Sequence, residues 1–367
     1  MTSLNKPQQL DEAVHKAIQA IAVGPDRGRD ISSEQAEQVM TGILNDLVDP
    51  VQAAVFLIAL RMKRESLDEF SGLLSALEKT TAISHAEVDT LVCLAEPFDG
   101  YVRNTTMTPF IAPVLAACGL PVIMHGVESL GPKYGVTAHK VYQAHGIDTL
   151  SDAKTAKNNI ERHAWAYLDQ SIYNPKLHAL QGLRNKIIKR SALTTLERLL
   201  CPVRAETTGL ALAYVHKAYP SIYAQMAQQV GYQQVLLFKG VEGGLAPALN
   251  KPIRRYFCDS ADLCASFEKL EKQVLEIDAG LQATRAAAPR ISATESVAAN
   301  EVQQTLSLGL SVLNGEASLA RKSLTLAAAH IFFSFRPHYS LPSCIEKVER
   351  SLDNGSALAT FNALTTQ

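Results

Sequence analysis

The sequence predicts an α/β fold in two lobes: a small, discontinuous all-helical lobe, and a large α/β lobe with a mainly parallel central sheet and a helical tail. Three observations predict it. Residues 1–82 carry helical periodicity and no strand signal. Between Leu91 and Met124 the period changes to two short apolar runs flanking a helix, the pattern of a βαβ unit and therefore of a parallel sheet. Residues 154–200 then return to strong helix formers, so the chain revisits the helical lobe. The expected division is a first helical part (1–82), a first α/β part (83–152), helices that complete the helical lobe (153–203), and the rest of the α/β lobe with C-terminal helices (204–367).

Each element has a local cause. Leu10, Val14, Ile18 and Ile21 recur at helical spacing. Ser32 with Gln35 forms a capping box before a helix to about Leu47, and Ser66 with Glu69 forms another before a helix to about Glu78. Asp49 precedes a proline at the first helical position, opening a helix with Val51, Val55, Ile58 and Met62 towards one face. Leu91–Ala95 reads as a buried strand, Thr108-Pro109 as the start of a helix ending at Gly119, and Leu120–Met124 as a second strand. Val235–Phe238 is a third apolar strand before the turn Gly243-Gly244. Helices dominate after Ser260, with a loop at 286–293.

Composition narrows the function classes. The formal net charge is −1 over 367 residues, so no bulk field points to nucleic acid or membrane, and any polyanion site must be local. The N-terminus lacks an apolar signal core and no apolar run reaches the ~18 residues of a membrane span, so the expectation is a cytoplasmic protein with no membrane partner. The six cysteines are scattered without a C-x-x-C pair; they read as buried free thiols, and no metal site is expected.

The ordered set of motifs resembles anthranilate phosphoribosyltransferase, of the family shared with the pyrimidine nucleoside phosphorylases. Asp49–Lys63 is similar to T-P-A-Q-x-A-A-F-L-x-A-L-R-x-K. Gly119–Gly126 is similar to G-x-x-V-x-K-H-G, Asn174–Leu177 to the H-P-A-M region, and Asn314 to Ala329 to G-x-x-R-D-x-V-L-L-N-A-A. The resemblance implies a cleft between the lobes and a homodimer formed through the helical lobe. It also implies transfer of ribose 5-phosphate from phosphoribosyl diphosphate, which needs bare backbone at the phosphates, carboxylates for magnesium, and cations for the remaining oxygens.

At all three elements the residues depart from the family. The glycines of G-T-G-G-D-G are replaced by Glu96, Phe98, Asp99 and Tyr101. The metal-binding G-G-L-D-E reads Gly243-Gly244-Leu245-Ala246-Pro247. The K-H-G-N-R-x-x-S-S segment reads Met124 to Pro132, with Glu128 in place of the arginine. The expectation is a homologue without catalytic residues and without a cofactor, magnesium being required only if phosphoribosyl transfer survives. The substituted loop, Pro97 to Asn104, resembles that of the YbiB-like group, some of which bind nucleic acid without sequence preference.

Two residue sets follow. Ligand-cleft candidates are Asp99, Tyr101, Arg103, Asn104, His125, Gly126, Lys133, Gly243 and Gly244. His125 and the glycine turn also have plain structural readings. Nucleic-acid candidates are Arg184, Lys186, Lys189 and Arg190, followed by Arg198, with Lys154, Lys157 and Arg162 before them and Arg254 and Arg255 after. Trp165 and Tyr167, interleaved with these, read as core. The function expected is binding of DNA or RNA. The alternatives are a phosphoribosyltransferase with an unusual site, or a small-molecule scaffold.

Overall fold

The computed structural model describes residues 6–24, 26–103, 105–249, 253–259, 275–277 and 299–366. Asn104, Cys264 and the expected loop at 286–293 lie outside them. The helical lobe opens with α1 (Lys6–Ile21), α2 (Ser33–Leu44), α3 (Pro50–Lys63) and α4 (Leu67–Lys79). Both capping boxes form, Ser32 with Gln35 and Ser66 with Glu69, and the Asp49 carboxylate accepts from Val51 and Gln52 ahead of Pro50. These caps satisfy first-turn N–H groups that a helix cannot satisfy itself. In α3 the face carrying Val51, Val55 and Met62 is not the buried one: these residues are exposed, while Ala53, Phe56, Leu57 and Leu60 enter the core.

The α/β lobe is built on strands β1 (Ser84–His85), β2 (Thr90–Ala95), β3 (Val122–Gly126), β4 (Trp165–Asp169), β5 (Val203–Arg204), β6 (Thr207–Tyr214), β7 (Gln234–Lys239), β8 (Ile253–Asp259) and β9 (Leu275–Ile277). Among the described residues β1 pairs with β5, and the other seven form one sheet of order β4-β3-β2-β6-β7-β8-β9, parallel from β4 to β7 and antiparallel beyond. Alternation along the strands separates two cores. Leu91, Cys93, Leu210 and Leu212 face the helical lobe and α12 (Tyr219–Val230), whereas Val92, Leu94, Ala211 and Ala213 face the opposite layer. That second layer is α5 (Thr108–Ala117) with the C-terminal helices α13 (Ala299–Leu313), α14 (Leu319–Phe335), α15 (Leu341–Asp353) and α16 (Ser356–Asn362). The parallel strands are buried on both faces, as parallel sheets require.

The helical block expected over 153–203 contains a strand. After α6 (Ala138–Ala144), α7 (Ala153–His163) stops at Ala164, which sits in the left-handed region at φ 59°, and the next five residues enter the sheet as β4. The chain then returns to the helical lobe through α8 (Gln170–Tyr173), α9 (Pro175–Ala179), α10 (Gln181–Ile187) and α11 (Leu193–Leu196). The Asn174 amide donates to the Leu77 carbonyl, and Ala82 N–H donates to Tyr173 O, so this returning segment is hydrogen-bonded to the end of α4 and the turn after it. Trp165 and Tyr167 are core residues. The strand expected at Leu120–Met124 begins two residues later, and β6, which carries no sequence expectation, is the central strand. Cys93, Cys118, Cys201, Cys258 and Cys344 are buried free thiols. Among the described residues no helix is long and apolar enough to cross a membrane.

Candidate ligand-binding cleft

The order of the parallel strands reverses between β2 and β6: the chain runs outward one way through β3 and β4 and the other way through β7. Loops leaving the carboxyl ends of the two central strands therefore diverge and leave a crevice, the general location of ligand sites in open α/β sheets. A cavity of about 610 Å³ lies there. Pro97, Asp99, Val102 and Arg103 line it from the loop after β2, and Pro132 and Lys133 from the loop after β3. Val215, His216, Tyr219 and Tyr223 come from the segment after β6, and Glu242 and Gly243 from the turn after β7. The helical lobe contributes Arg61, Arg190, Ser191, Thr194, Thr195 and Arg198.

The loop after β2 is packed inward. Phe98 is buried and meets the His125 ring edge-on at 5.5 Å. Tyr101 is buried, its hydroxyl donating to Thr108 Oγ1 at 2.9 Å and its backbone bridging to Val136. A Cβ on Gly244 would overlap the Tyr101 phenol, so that glycine is the space the ring occupies. Gly100, at φ 73°, turns the loop against the backbone of Gly135 and Val136 where no side chain fits. The buried Glu96 carboxylate accepts from Ala138 N–H at 2.9 Å; burial pushes its pKa up to about 7.

The cations facing the cleft are largely held by the protein. Asp99 is buried between Lys133, at 3.2 Å, and Arg190, whose Nε donates at 3.0 Å. Lys133 also approaches Glu242 at 3.6 Å, and Glu242 accepts from Arg103 N–H at 2.9 Å. Arg198 donates to the carbonyls of Ala95, Glu96, Ala213 and Gly243 at 2.8–3.1 Å. It thereby ties together the ends of β2 and β6 and the turn after β7. Arg61 crosses from α3 to donate to the Tyr219 hydroxyl at 2.8 Å.

Of the expected cleft residues, Asp99, Arg103, Lys133 and Gly243 line the cavity. Tyr101, His125, Gly126 and Gly244 do not. His125 is fully buried, its Nδ1 2.9 Å from the Tyr173 hydroxyl, and burial lowers its pKa to about 3, so the ring is a neutral core group. Gly126 is buried against Tyr167 and Glu96. Of the expected nucleic-acid residues, Arg184 and Arg198 are corrected by burial: Arg184 makes a bidentate pair with buried Glu197 at 2.6 and 2.8 Å. Arg255 is partly buried, donating to Ser334 Oγ at 2.8 Å and stacking over Phe333. Lys157 pairs with Glu87 and Glu161, whereas Lys154 and Arg162 are exposed elsewhere on α7, and Arg254 is exposed on β8. Lys186, Lys189, Arg190 and Arg103 are exposed, and Arg190 and Arg103 stand at the cleft itself. Sequence reasoning missed Arg61, His216, Tyr219 and Tyr223. Arg61 lay in a recognised motif, and the other three follow the strand that carried no expectation.

Two family descriptions match the chain: the glycosyl transferase family, helical bundle domain, over residues 16–80, and the glycosyl transferase family, a/b domain, over residues 99–358. Anthranilate phosphoribosyltransferase of Legionella pneumophila (strain Lens) is 24% identical over 339 residues, covering 92% of each chain. The uncharacterized protein YbiB of Escherichia coli (strain K12) is 26% identical over 230 residues, 62% of this chain and 71% of that one. Among solved structures, anthranilate phosphoribosyltransferase from Saccharomyces cerevisiae in complex with PRPP and Mg superposes with a TM-score of 0.74 at 14% identity, over 97% of both chains.

Proposed function

The chain belongs to the glycosyl transferase family that joins a helical bundle domain to an a/b domain, and from that premise we propose that this member does not transfer phosphoribosyl groups but binds nucleic acid along the rim of its cleft. The observation that carries the first half is the loop after β2. Its Phe98 and Tyr101 side chains are buried where a diphosphate needs bare backbone, and its Asp99 neutralises Lys133 and Arg190. Ala246 and Pro247 offer no side-chain ligand to magnesium. The second half is supported by Lys186, Lys189, Arg190 and Arg103, exposed cations near a cleft that also presents Tyr219 and His216. Charge with accessible rings suits a single strand, whose phosphates follow the cations and whose bases stack.

A partner and a location belong to the same reading. The apolar stripe Leu47, Val51, Val55, Met62 and Leu67 is exposed on the helical lobe and suits a second copy of the chain. Buried free thiols suit a reducing cytoplasm.

The alternative, surviving phosphoribosyl transfer, is favoured by the end-to-end match to anthranilate phosphoribosyltransferases. One titration separates the two. A fluorescent single-stranded oligonucleotide is titrated at two salt concentrations, with phosphoribosyl diphosphate and magnesium as competitor. Binding that weakens steeply with salt and ignores the competitor is expected. No binding, or displacement by the competitor, overturns the proposal.

A further inference from the structure

We propose that the cleft is a one-nucleotide pocket, and that the nucleotide it takes is the phosphorylated end of a strand lying on the rim. This rests on the rim reading above and adds to it where the strand stops.

The charge capacity of the cleft sets the ligand. The Arg198 guanidinium is directed at four carbonyls, Lys133 lies between Asp99 and Glu242, and Arg61 is bound to Tyr219 with Glu65 at 3.7 Å. What remains is Arg103, whose side chain is exposed and has no partner among the described residues, and the outer edge of Arg190, whose side chain is 46% exposed. Two guanidinium groups match one phosphate in the forked geometry that arginine favours. A second phosphate would meet the carboxylates of Asp99 and Glu242 on the same wall. The hydroxyls of Ser191 and Thr194 on the lining instead suit the neutral polar groups of a sugar or base. The His216 and Tyr219 rings, 6.2 Å apart, and Val215 line the same cavity and form an aromatic and apolar surface for a base.

The shape sets where on a strand that nucleotide lies. A cavity of about 610 Å³ is the size of a small-ligand site. Its floor is closed where Arg198 ties the ends of β2 and β6 to the turn after β7. A continuous strand would have to loop in and out, leaving a linking phosphate and a further nucleotide on both sides of the pocket. A phosphorylated end enters with its terminal phosphate leading to Arg103 and Arg190 and only one linking phosphate, which stays at the rim.

The test uses the full chain and three probes: a linear single-stranded oligonucleotide phosphorylated at its ends, a covalently closed circle of the same sequence, and a nucleoside monophosphate as competitor. The expected result is that the linear strand binds about tenfold tighter than the circle, the scale of one charge-assisted phosphate contact. The monophosphate should remove that advantage, and so should Val215→Trp, which fills the exposed mouth, and Arg103→Ala. Equal affinity for line and circle overturns the end pocket and leaves the rim reading standing. If neither polymer binds, the rim reading fails, and with it the strand as the source of the nucleotide.

Discussion

Arg184 and Arg190 lie six residues apart and do unlike work. Arg184 is locked to Glu197, which is wholly buried; truncating it leaves a carboxylate in the core without its cation. Arg184→Ala is therefore expected to cost ~3–5 kcal/mol in denaturant unfolding, while Lys186→Ala, two residues on and exposed, stays within about 0.5 kcal/mol. Equal small effects would show that the pair contributes nothing to stability. Glu96 gives a pH signature. Its folded pKa is raised from an ordinary 4.5 to about 7 by burial, so the native state favours the protonated form. Stability from this group is present below pH 4.5 and is lost as pH rises towards 7, because the unfolded chain releases its proton first. Relative to Glu96→Gln, the wild-type protein should lose up to about 3 kcal/mol between pH 5 and pH 8. A difference that does not change across that range would place the ionised carboxylate comfortably in the loop. His330 has the opposite sign. It is buried edge-on against Phe238, and burial lowers its pKa to about 3. Stability is lost as pH falls below 6.5, the wild-type chain weakening relative to His330→Leu between pH 6.5 and pH 4 in thermal unfolding.

Elements were legible where their cause is local. The capping boxes at Ser32 and Ser66 and the Asp49-Pro50 start each lie within four residues, and all three form. The strands β4 and β6 were not legible, for identifiable reasons. α7 ends on a left-handed alanine, Ala164, rather than on the glycine that normally marks such a stop, so nothing separates helix from strand in the sequence. β6 is Thr-Thr-Gly-Leu-Ala-Leu-Ala-Tyr, with three of its eight residues small and of low strand propensity, and it is a strand because both faces are buried between β2 and β7. Missing β6 also hid His216, Tyr219 and Tyr223, which reach the cleft from the segment beyond it. The basic residues of α10 were visible, but not that Arg184 turns inward, since the partner Glu197 belongs to a later turn. The α3 stripe carries the prediction at this scale. Val51 and Met62 are 70% and 68% exposed, so replacing them with charges leaves the fold intact. Val51→Lys with Met62→Glu should halve the mass in sedimentation and leave the melting temperature of the dilute protein unchanged. A wild-type chain already monomeric at micromolar concentration would sink the dimer.

At the scale of the whole molecule, 35 basic and 36 acidic residues nearly cancel. Long-range attraction to a polyanion is therefore weak, and the binding proposed above rests on the few cations that are exposed near the cleft. This makes the salt dependence of binding a count. Arg103, Lys186, Lys189 and Arg190 offer four phosphate contacts per protomer, of which Arg190 already shares its charge with Asp99. Each neutralised phosphate of a single strand contributes about −0.7 to the slope of log affinity against log salt, so a slope of about −2 to −3 is expected. Removing Lys186, Lys189 and Arg103 together should bring it to about −1 or shallower, whereas removing Lys154 and Arg162 on α7 should leave it unchanged. A steep slope that survives the triple substitution would mean the strand lies elsewhere, and α7 and the face carrying Arg254 on β8 are then the surfaces to test. A slope near zero in the wild-type chain would mean that phosphates are not what the rim holds, and would return the cleft to a neutral small molecule, for which Tyr219, Tyr223 and Val215 already provide the apolar wall.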